Sequence, residues 1–275
     1  MGLRARFAAA AFCAATLCAA SANAGSITEP GETIGYNLGA ALPEGVYFAN
    51  TGSWGDNRGA PGTLNTFVDV PVIAWSTPWN FLGGHVEAYA AFPFVIIGND
   101  TNAIYNPFFT IGEAWSLGGG WSFSNFVGFY APVDNVLNQN FYTFNDRAHI
   151  TYSRDGWNFT TNAIFGFTGG DERTGKKIAP DYLNVDVHLT KTIGKWTFGP
   201  VAFGSGDLSG TDDPLYKKQE QFALGGLVGY DFPGISVALY ATHDVYTKNY
   251  PTEETRVWTR AVVPLWQAAQ NGPLK

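Results

Sequence analysis

The sequence predicts an all-β fold: a transmembrane, antiparallel up-and-down β-barrel of twelve strands, following a cleaved signal peptide. Three observations lead there. Apolar residues recur with a period of two, not with the helical period, along most of the chain. The connecting segments alternate between long and short, and the tryptophans collect beside the short ones.

Composition sets the frame for these patterns. Only 14% of residues are charged, against about 25% in a soluble domain, so the surface is short of charge. Aromatic residues reach 16%, which excludes a disordered chain, because such chains are poor in rings. The formal net charge of -7 argues against nucleic acid as a partner, which calls for clustered Lys and Arg.

The first element is an export signal. Arg4 and Arg6 precede an apolar run from Phe7 to Ala20, and Ala22-Asn23-Ala24 is an A-x-A cleavage site, so residues 1–24 are expected to be removed. Both cysteines, Cys13 and Cys18, fall inside this segment, and Phe12 and Leu17 before them do not fit lipid attachment. An exported chain without disulfides is stabilised by an ample core, by closure of a sheet or by lipid. After residue 24 no stretch approaches the roughly 20 apolar residues of a helical membrane span. Residues 25–45 are then read as a periplasmic or lumen-lining lead, 46–266 as the barrel and 267–275 as a periplasmic tail.

The twelve strands are expected near 46–53, 63–76, 84–97, 108–117, 121–130, 142–153, 157–167, 181–192, 196–204, 219–230, 235–246 and 255–266. In 84–97, Val86, Ala88, Ala90, Phe92, Phe94 and Ile96 oppose His85, Glu87, Tyr89 and Ala91. In 142–153, Phe144, Ala148, Ile150 and Tyr152 oppose Asn145, Arg147, His149 and Thr151, and in 157–167 the ring-rich row of Trp157, Phe159 and Phe165 opposes Asn158, Thr160 and Asn162. Leu183, Val185, Val187 and Leu189 oppose Asn184, Asp186, His188 and Thr190 in 181–192. Most segments are long enough for the 9–11 residues, roughly, that a tilted membrane strand needs. The oily rows are expected to face lipid and the polar rows the lumen.

Connections after the odd-numbered strands are long and polar, as in 171–177 and 212–218, whereas the others are short, as in Gly118-Gly119-Gly120 and Arg154-Asp155-Gly156. Short periplasmic turns and long outer loops are the asymmetry of an outer-membrane barrel, and an even strand number puts both barrel ends in the periplasm. Seven of the nine tryptophans (Trp75, Trp79, Trp115, Trp121, Trp157, Trp196 and Trp266) lie beside a short turn or at the last strand's end. Tyr105, Tyr130, Tyr142, Tyr182, Tyr246 and Tyr250 lie at the opposite ends, so the two sets are expected to form aromatic girdles.

Catalytic signatures are missing: the sequence has no G-x-S-x-G elbow, H-E-x-x-H or P-loop, so no catalytic, metal or cofactor residue is assigned. The polar rows instead nominate His85, Glu87, Glu113, Arg147, His149, Asp186, His188 and Arg260 as lumen-lining residues, with Asp69 and Arg256 beside them. Arg147 and Arg260 are expected to pair with Glu87, Glu113 and Asp186 across the interior, because a lone charge away from water is costly. Twelve tilted strands give a backbone radius of roughly 12 Å, which suits a small solute. Outer-membrane lipid and a small-molecule solute are the expected partners. The rival readings are a lipid hydrolase using Ser153 and His149, and a structural barrel without transport.

Three stretches carry a family resemblance: Asp181 to Asp186, Gly194 to Val201, and Gln221 to Asp231. Together with Leu42-Pro43-Glu44-Gly45-Val46-Tyr47, Val257-Trp258-Thr259-Arg260 and Pro264-Leu265-Trp266, they resemble a family of outer-membrane transporters linked to the meta pathway of phenol degradation. The resemblance implies a barrel for uptake of aromatic or other small hydrophobic compounds, and it implies no catalytic residues. One departure stands out: outer-membrane barrels commonly end on an aromatic residue, whereas Trp266 is followed by Gln267 to Lys275.

Overall fold

Lipid offers no hydrogen bonds, so a sheet that spans it has to close on itself. In the computed structural model, which describes residues 25–56, 65–98, 101–137, 139–250 and 253–268, the sheet does so. The strands are β1 (Gly45–Asp56), β2 (Thr66–Phe81), β3 (Gly84–Ala91), β4 (Phe94–Ile97), β5 (Thr101–Ile104), β6 (Phe108–Gly118) and β7 (Trp121–Tyr130). They continue with β8 (Thr143–Arg154), β9 (Trp157–Thr168), β10 (Tyr182–Ile193), β11 (Trp196–Asp207), β12 (Glu220–Phe232), β13 (Ile235–Lys248) and β14 (Thr255–Gln267). Every pairing is antiparallel, and β1 closes the ring by pairing with β2 on one side and β14 on the other.

Twelve strands form that ring, since β4 and β5 are a small hairpin that prolongs β3 and β6 beyond it. The strand expected at 84–97 is therefore two pieces. Phe92-Pro93 interrupts it because proline has no N–H to give the ladder, and β4 resumes the pairing with β2. The turn expected over Thr77 to Gly83 shrinks to Leu82-Gly83, because β2 runs on to Phe81 past a register shift between Ser76 and Asn80. The expected signal peptide and all but the start of the tail lie outside the described residues.

All five short connections are two-residue turns. Leu82-Gly83, Gly119-Gly120 and Asp155-Gly156 have positive φ at both positions, the backbone of a type I′ hairpin that matches strand twist. Asp155, at φ 53°, is a residue type that tolerates this region; Leu82, at φ 45°, is not, and it stands in the open at the turn.

The faces sort as lipid requires. Along β10, Tyr182, Asn184, Asp186, His188 and Thr190 are buried, while Leu189 on the alternate row is exposed. β8 and β9 repeat the arrangement, with Asn145, Arg147, His149 and Thr151 buried beside Asn158, Thr160 and Asn162. Polar residues thus face the interior and apolar ones cover the outside, the inverse of a soluble barrel. The seven tryptophans at the short-turn end are exposed or half-buried on the outer wall. At the long-loop end the outer belt is mostly phenylalanine, with Phe109, Phe129, Phe144 and Phe167 beside Tyr142 and Tyr246. Tyr130 and Tyr182, expected in that girdle, point inward instead, because both sit in the register of the polar rows and their hydroxyls find partners there.

The outer wall gives a direct test of orientation. Val187→Arg places a charge midway along the outward row of β10 and should cost about 2–4 kcal/mol of folding stability, whereas Val187→Ile should be nearly neutral. Reversible urea titration in lipid vesicles measures both.

Candidate functional site

The interior is not empty. Before β1 begins, residues 25–42 thread the lumen from the long-loop end, where Gly25 N–H donates to Gln219 Oε1, to the short-turn end, where Leu42 N–H donates to Glu87 Oε1 at 2.6 Å. Successive i to i−3 bonds shape the segment: Glu32 N–H to Glu29, Ile34 to Gly31, and Tyr36 to Thr33. A chain coiled this way advances about 2 Å per residue, so three to four residues cover roughly 6–8 Å. Two residues of a strand cover nearly the same distance, about 6.7 Å. The match lets the segment run beside β10 and meet the inward side chains from Tyr182 to His188 in turn.

Those meetings are specific. Tyr182 and Tyr130 hydroxyls share Thr28 Oγ1 at 2.8 and 2.9 Å. Asn184 Nδ2 donates to Ser26 Oγ and to the Thr28 carbonyl, both at 2.9 Å. Asp186 accepts from Gly31 N–H at 2.9 Å, Thr33 N–H at 3.0 Å and the Thr33 hydroxyl at 2.6 Å. His188 Nδ1 accepts from Gly35 N–H at 3.0 Å, so the ring proton lies on Nε2 and is donated to Asn158 Oδ1 at 2.9 Å. His149 has the other tautomer, donating from Nδ1 to Asn162 Oδ1, because the Asn162 amide nitrogen is turned toward Thr33.

The charges follow the same logic. Arg147 reaches Glu32 at 3.4 Å, Tyr130 Oη at 2.9 Å and Asn145 Oδ1 at 2.6 Å, with its guanidinium 4.1 Å over the Phe108 ring. Arg256 bridges Glu29 and Glu254, and Arg260 donates to the Glu32 carbonyl while stacking 3.5 Å from the Tyr36 ring. The expected pairing of Arg147 and Arg260 with Glu87, Glu113 and Asp186 does not form. Strand residues cannot reach across an interior that another segment fills, so the segment supplies carboxylates to Arg147 and Arg256 and a carbonyl to Arg260, on which Asp186 acts only at longer range than an ion pair. Glu87 is held by Leu42 N–H and the Tyr89 hydroxyl, and His85 Nε2 by Ser76 Oγ at 2.7 Å.

Glu113 requires a correction. It shares the outward row of β6 with Phe109 and Ile111 and abuts Gly84 and Trp115 on the outer wall, while Phe108, Thr110 and Ala114 face in. Asp69 likewise lies outside, accepting from Asn50 Nδ2 at 2.8 Å. Sequence polarity alone put both in the lumen; the register of β2 and β6 decides otherwise. Ser153 Oγ accepts from Asn158 at 2.7 Å and His149 bonds Asn162, so the two are engaged separately.

Apolar anchors complete the fit. Ile27 sits among Val68, Phe108, Tyr130 and Ile164, and Ile34 among Phe203, Leu227, Tyr240 and Trp258. Trp258 was not legible as an interior residue, yet it stacks on Tyr240 with 5.2 Å between centroids and donates Nε1–H to Thr242. Gly31 has φ +93°, and a Cβ there would come within 3.0 Å of both Phe203 and Trp258. Residues 26–31, 33 and 34 are buried, whereas Gly35, Asn37 and Ala41 are open. The lumen is therefore packed in its outer half and wider toward the short turns. Above the packed half, Asp181 ties the mouth loops: burial alone would raise its carboxyl, but the Lys177 ammonium and Thr168 N–H hold it below the usual carboxylate range.

A closed ring with an oily banded exterior and a polar, occupied interior defines an outer-membrane β-barrel. The chain belongs to the family described as "Putative MetA-pathway of phenol degradation", whose model matches residues 47–261. Its fold is similar to the COG4313 outer membrane channel from Pseudomonas putida F1, with a TM-score of 0.68 at 12% identity over 84% of this chain and 99% of that one. It is also similar to the NanC porin, with a TM-score of 0.51 at 12% identity over 79% of this chain and 100% of that one. For the KdgM porin in complex with disordered oligogalacturonate the TM-score is 0.50 at 8% identity, over 80% and 99%. No curated protein sequence matches the chain.

Asp186→Ala removes three acceptor contacts at once and leaves two buried N–H groups without partners, each worth about 1–3 kcal/mol. Hydrogen exchange at Gly31 to Thr33 is expected to accelerate at least about tenfold, while β9 and β10 amides stay protected.

Proposed function

We propose that this barrel is a passive channel for small solutes, aromatic and other hydrophobic compounds among them, whose bore is set by residues 26–34. The observation that carries the reading is the kind of contact holding that segment. Its backbone hangs on side chains of the inner wall through Asp186 and Asn184, and no ladder fastens it to the sheet. Such contacts break singly and can be replaced by a solute or by water, so the filling is separable from the ring around it.

The lining suits a mixed solute. Inward rings at Tyr36, Tyr89, Phe126, Tyr240 and Trp258 offer stacking faces, and Arg147, Arg260, Glu87, Asp186, His85, His149 and His188 provide polar points between them. Oriented charges and rings at close quarters are how narrow pores select. Family membership supports the link to aromatic compounds.

Two measurements test this. In planar bilayers the full chain should show small conductance steps, and a form lacking residues 25–42 should show steps several-fold larger. Arg147→Ala should shift selectivity toward cations, because it removes one of the lumen's few positive charges and frees Glu32. Uptake of small aromatic compounds should fall in cells lacking the protein. Absence of conductance from both forms, together with unchanged uptake, would refute the channel.

A further inference from the structure

The outer wall carries a polar patch where lipid tails should lie. On β14, β1 and β2 the outward side chains of Thr259, Asn50 and Asp69 gather around Gly52, which pairs directly with Thr259 and Asp69. A Cβ on Gly52 would lie 3.0 Å from Thr259 Oγ1 and 3.5 Å from Asp69 Oδ1, so the absent side chain leaves a notch that the two polar groups border. The patch lies between the outward Trp54 at the long-loop end and Trp75 at the short-turn end, at hydrocarbon depth. No headgroup reaches there, and polar groups in lipid are costly unless another protein meets them.

The hydrogen-bond inventory of the patch says what would meet them. Asn50 donates one amide hydrogen to Asp69 Oδ1 at 2.8 Å, which leaves its second amide hydrogen and Asp69 Oδ2 without a partner among the described residues. The patch therefore offers one spare amide donor beside the spare acceptors Asp69 Oδ2 and Asn50 Oδ1, all at nearly equal depth. A second copy related by a two-fold axis along the membrane normal presents the same pair in reverse, so each Asn50 can donate to the opposite Asp69. Self-complementarity of this kind is the mark of an isologous interface.

A second outward polar set shows the contrast. Asn125 Nδ2 donates both to Asp146 Oδ1 and to the Arg147 carbonyl, and Glu113 Oε1 has no partner among the described residues. That set has spare acceptors but no spare amide hydrogen, and so cannot complement itself. The first patch is also continuous with a groove of about 470 Å³ on the outer wall, lined by Asn50, Thr259, Ala261, Leu239 and Trp196, with room for side chains of a neighbour.

We infer that the β14–β1–β2 face is the contact surface between two copies of this chain in the membrane, joined by reciprocal Asn50–Asp69 hydrogen bonds. This goes beyond the channel reading and does not depend on it.

Residues 25–275 contain no cysteine, which makes the test direct. Ala261 pairs with Asn50 across the β1–β14 ladder, and Ala163 occupies the outward row of β9, six strands around the ring from β1. In native outer membranes treated with a thiol oxidant, Ala261→Cys should form a disulfide-linked dimer of this chain and Ala163→Cys should not. Adding Asn50→Leu and Asp69→Leu to Ala261→Cys should lower the yield about tenfold, the effect of losing two membrane hydrogen bonds. Retained heat-modifiable gel mobility shows that this variant is inserted; if it is not, the comparison of Ala261→Cys with Ala163→Cys decides alone. Equal yields from the two cysteines, a conjugate with a different protein, or a yield indifferent to the leucines in an inserted barrel would overturn the proposal.

Discussion

Beneath every other feature lies the fact that a lipid interior supplies no hydrogen bonds. A strand in such a solvent has to find both of its neighbours within the chain, and twelve strands can all do so only in a ring. Closure in turn reverses the usual address of polar and apolar side chains. Once Leu183, Val185, Val187 and Leu189 face lipid, Asn184, Asp186 and His188 on the same strand have to face inward.

That reversal creates a second problem, which residues 25–42 resolve. An interior wall carrying Arg147, Arg256, Arg260, Asp186 and three histidines is costly unless each group is hydrogen-bonded. Water could serve in a wide pore, but Phe203, Tyr240, Trp258 and Phe126 narrow this one. The threaded segment brings donors from its backbone for Asp186 and His188, carboxylates for Arg147 and Arg256, and isoleucines for the apolar hollows. Most of its contribution is made by main-chain groups and small residues. The glycines at 31 and 35 matter because wall side chains press against their α-carbons, as a Cβ at either position would be within 2.9 Å of Phe203 or Leu227.

The outer wall obeys the lipid less strictly than the inner wall obeys the segment. Asp69 and Glu113 sit among oily neighbours, on strands whose other outward positions are Phe67, Ile73, Phe109 and Ile111. An exception of this kind marks a place where something other than hydrocarbon is expected, and the hydrogen-bonding capacity left over at each site distinguishes one from the other.

The class of fold, the number of strands in the ring, the direction of the oily rows and the side on which the short turns lie are all legible without coordinates. These are local properties: period two, loop length and tryptophan position are each read within a dozen residues. Seven of the eight nominated lumen residues also point inward, because their strands keep strict alternation. Glu113 escaped, since its polarity is no guide to the face when register sets the face. What the inward residues bind emerges only once the chain is folded. The groups that the lead brings to Asp186 and Arg147 lie more than a hundred residues away in a stretch whose small polar composition has no periodicity, and a segment held by side chains one at a time leaves no repeating pattern in its own sequence to announce it.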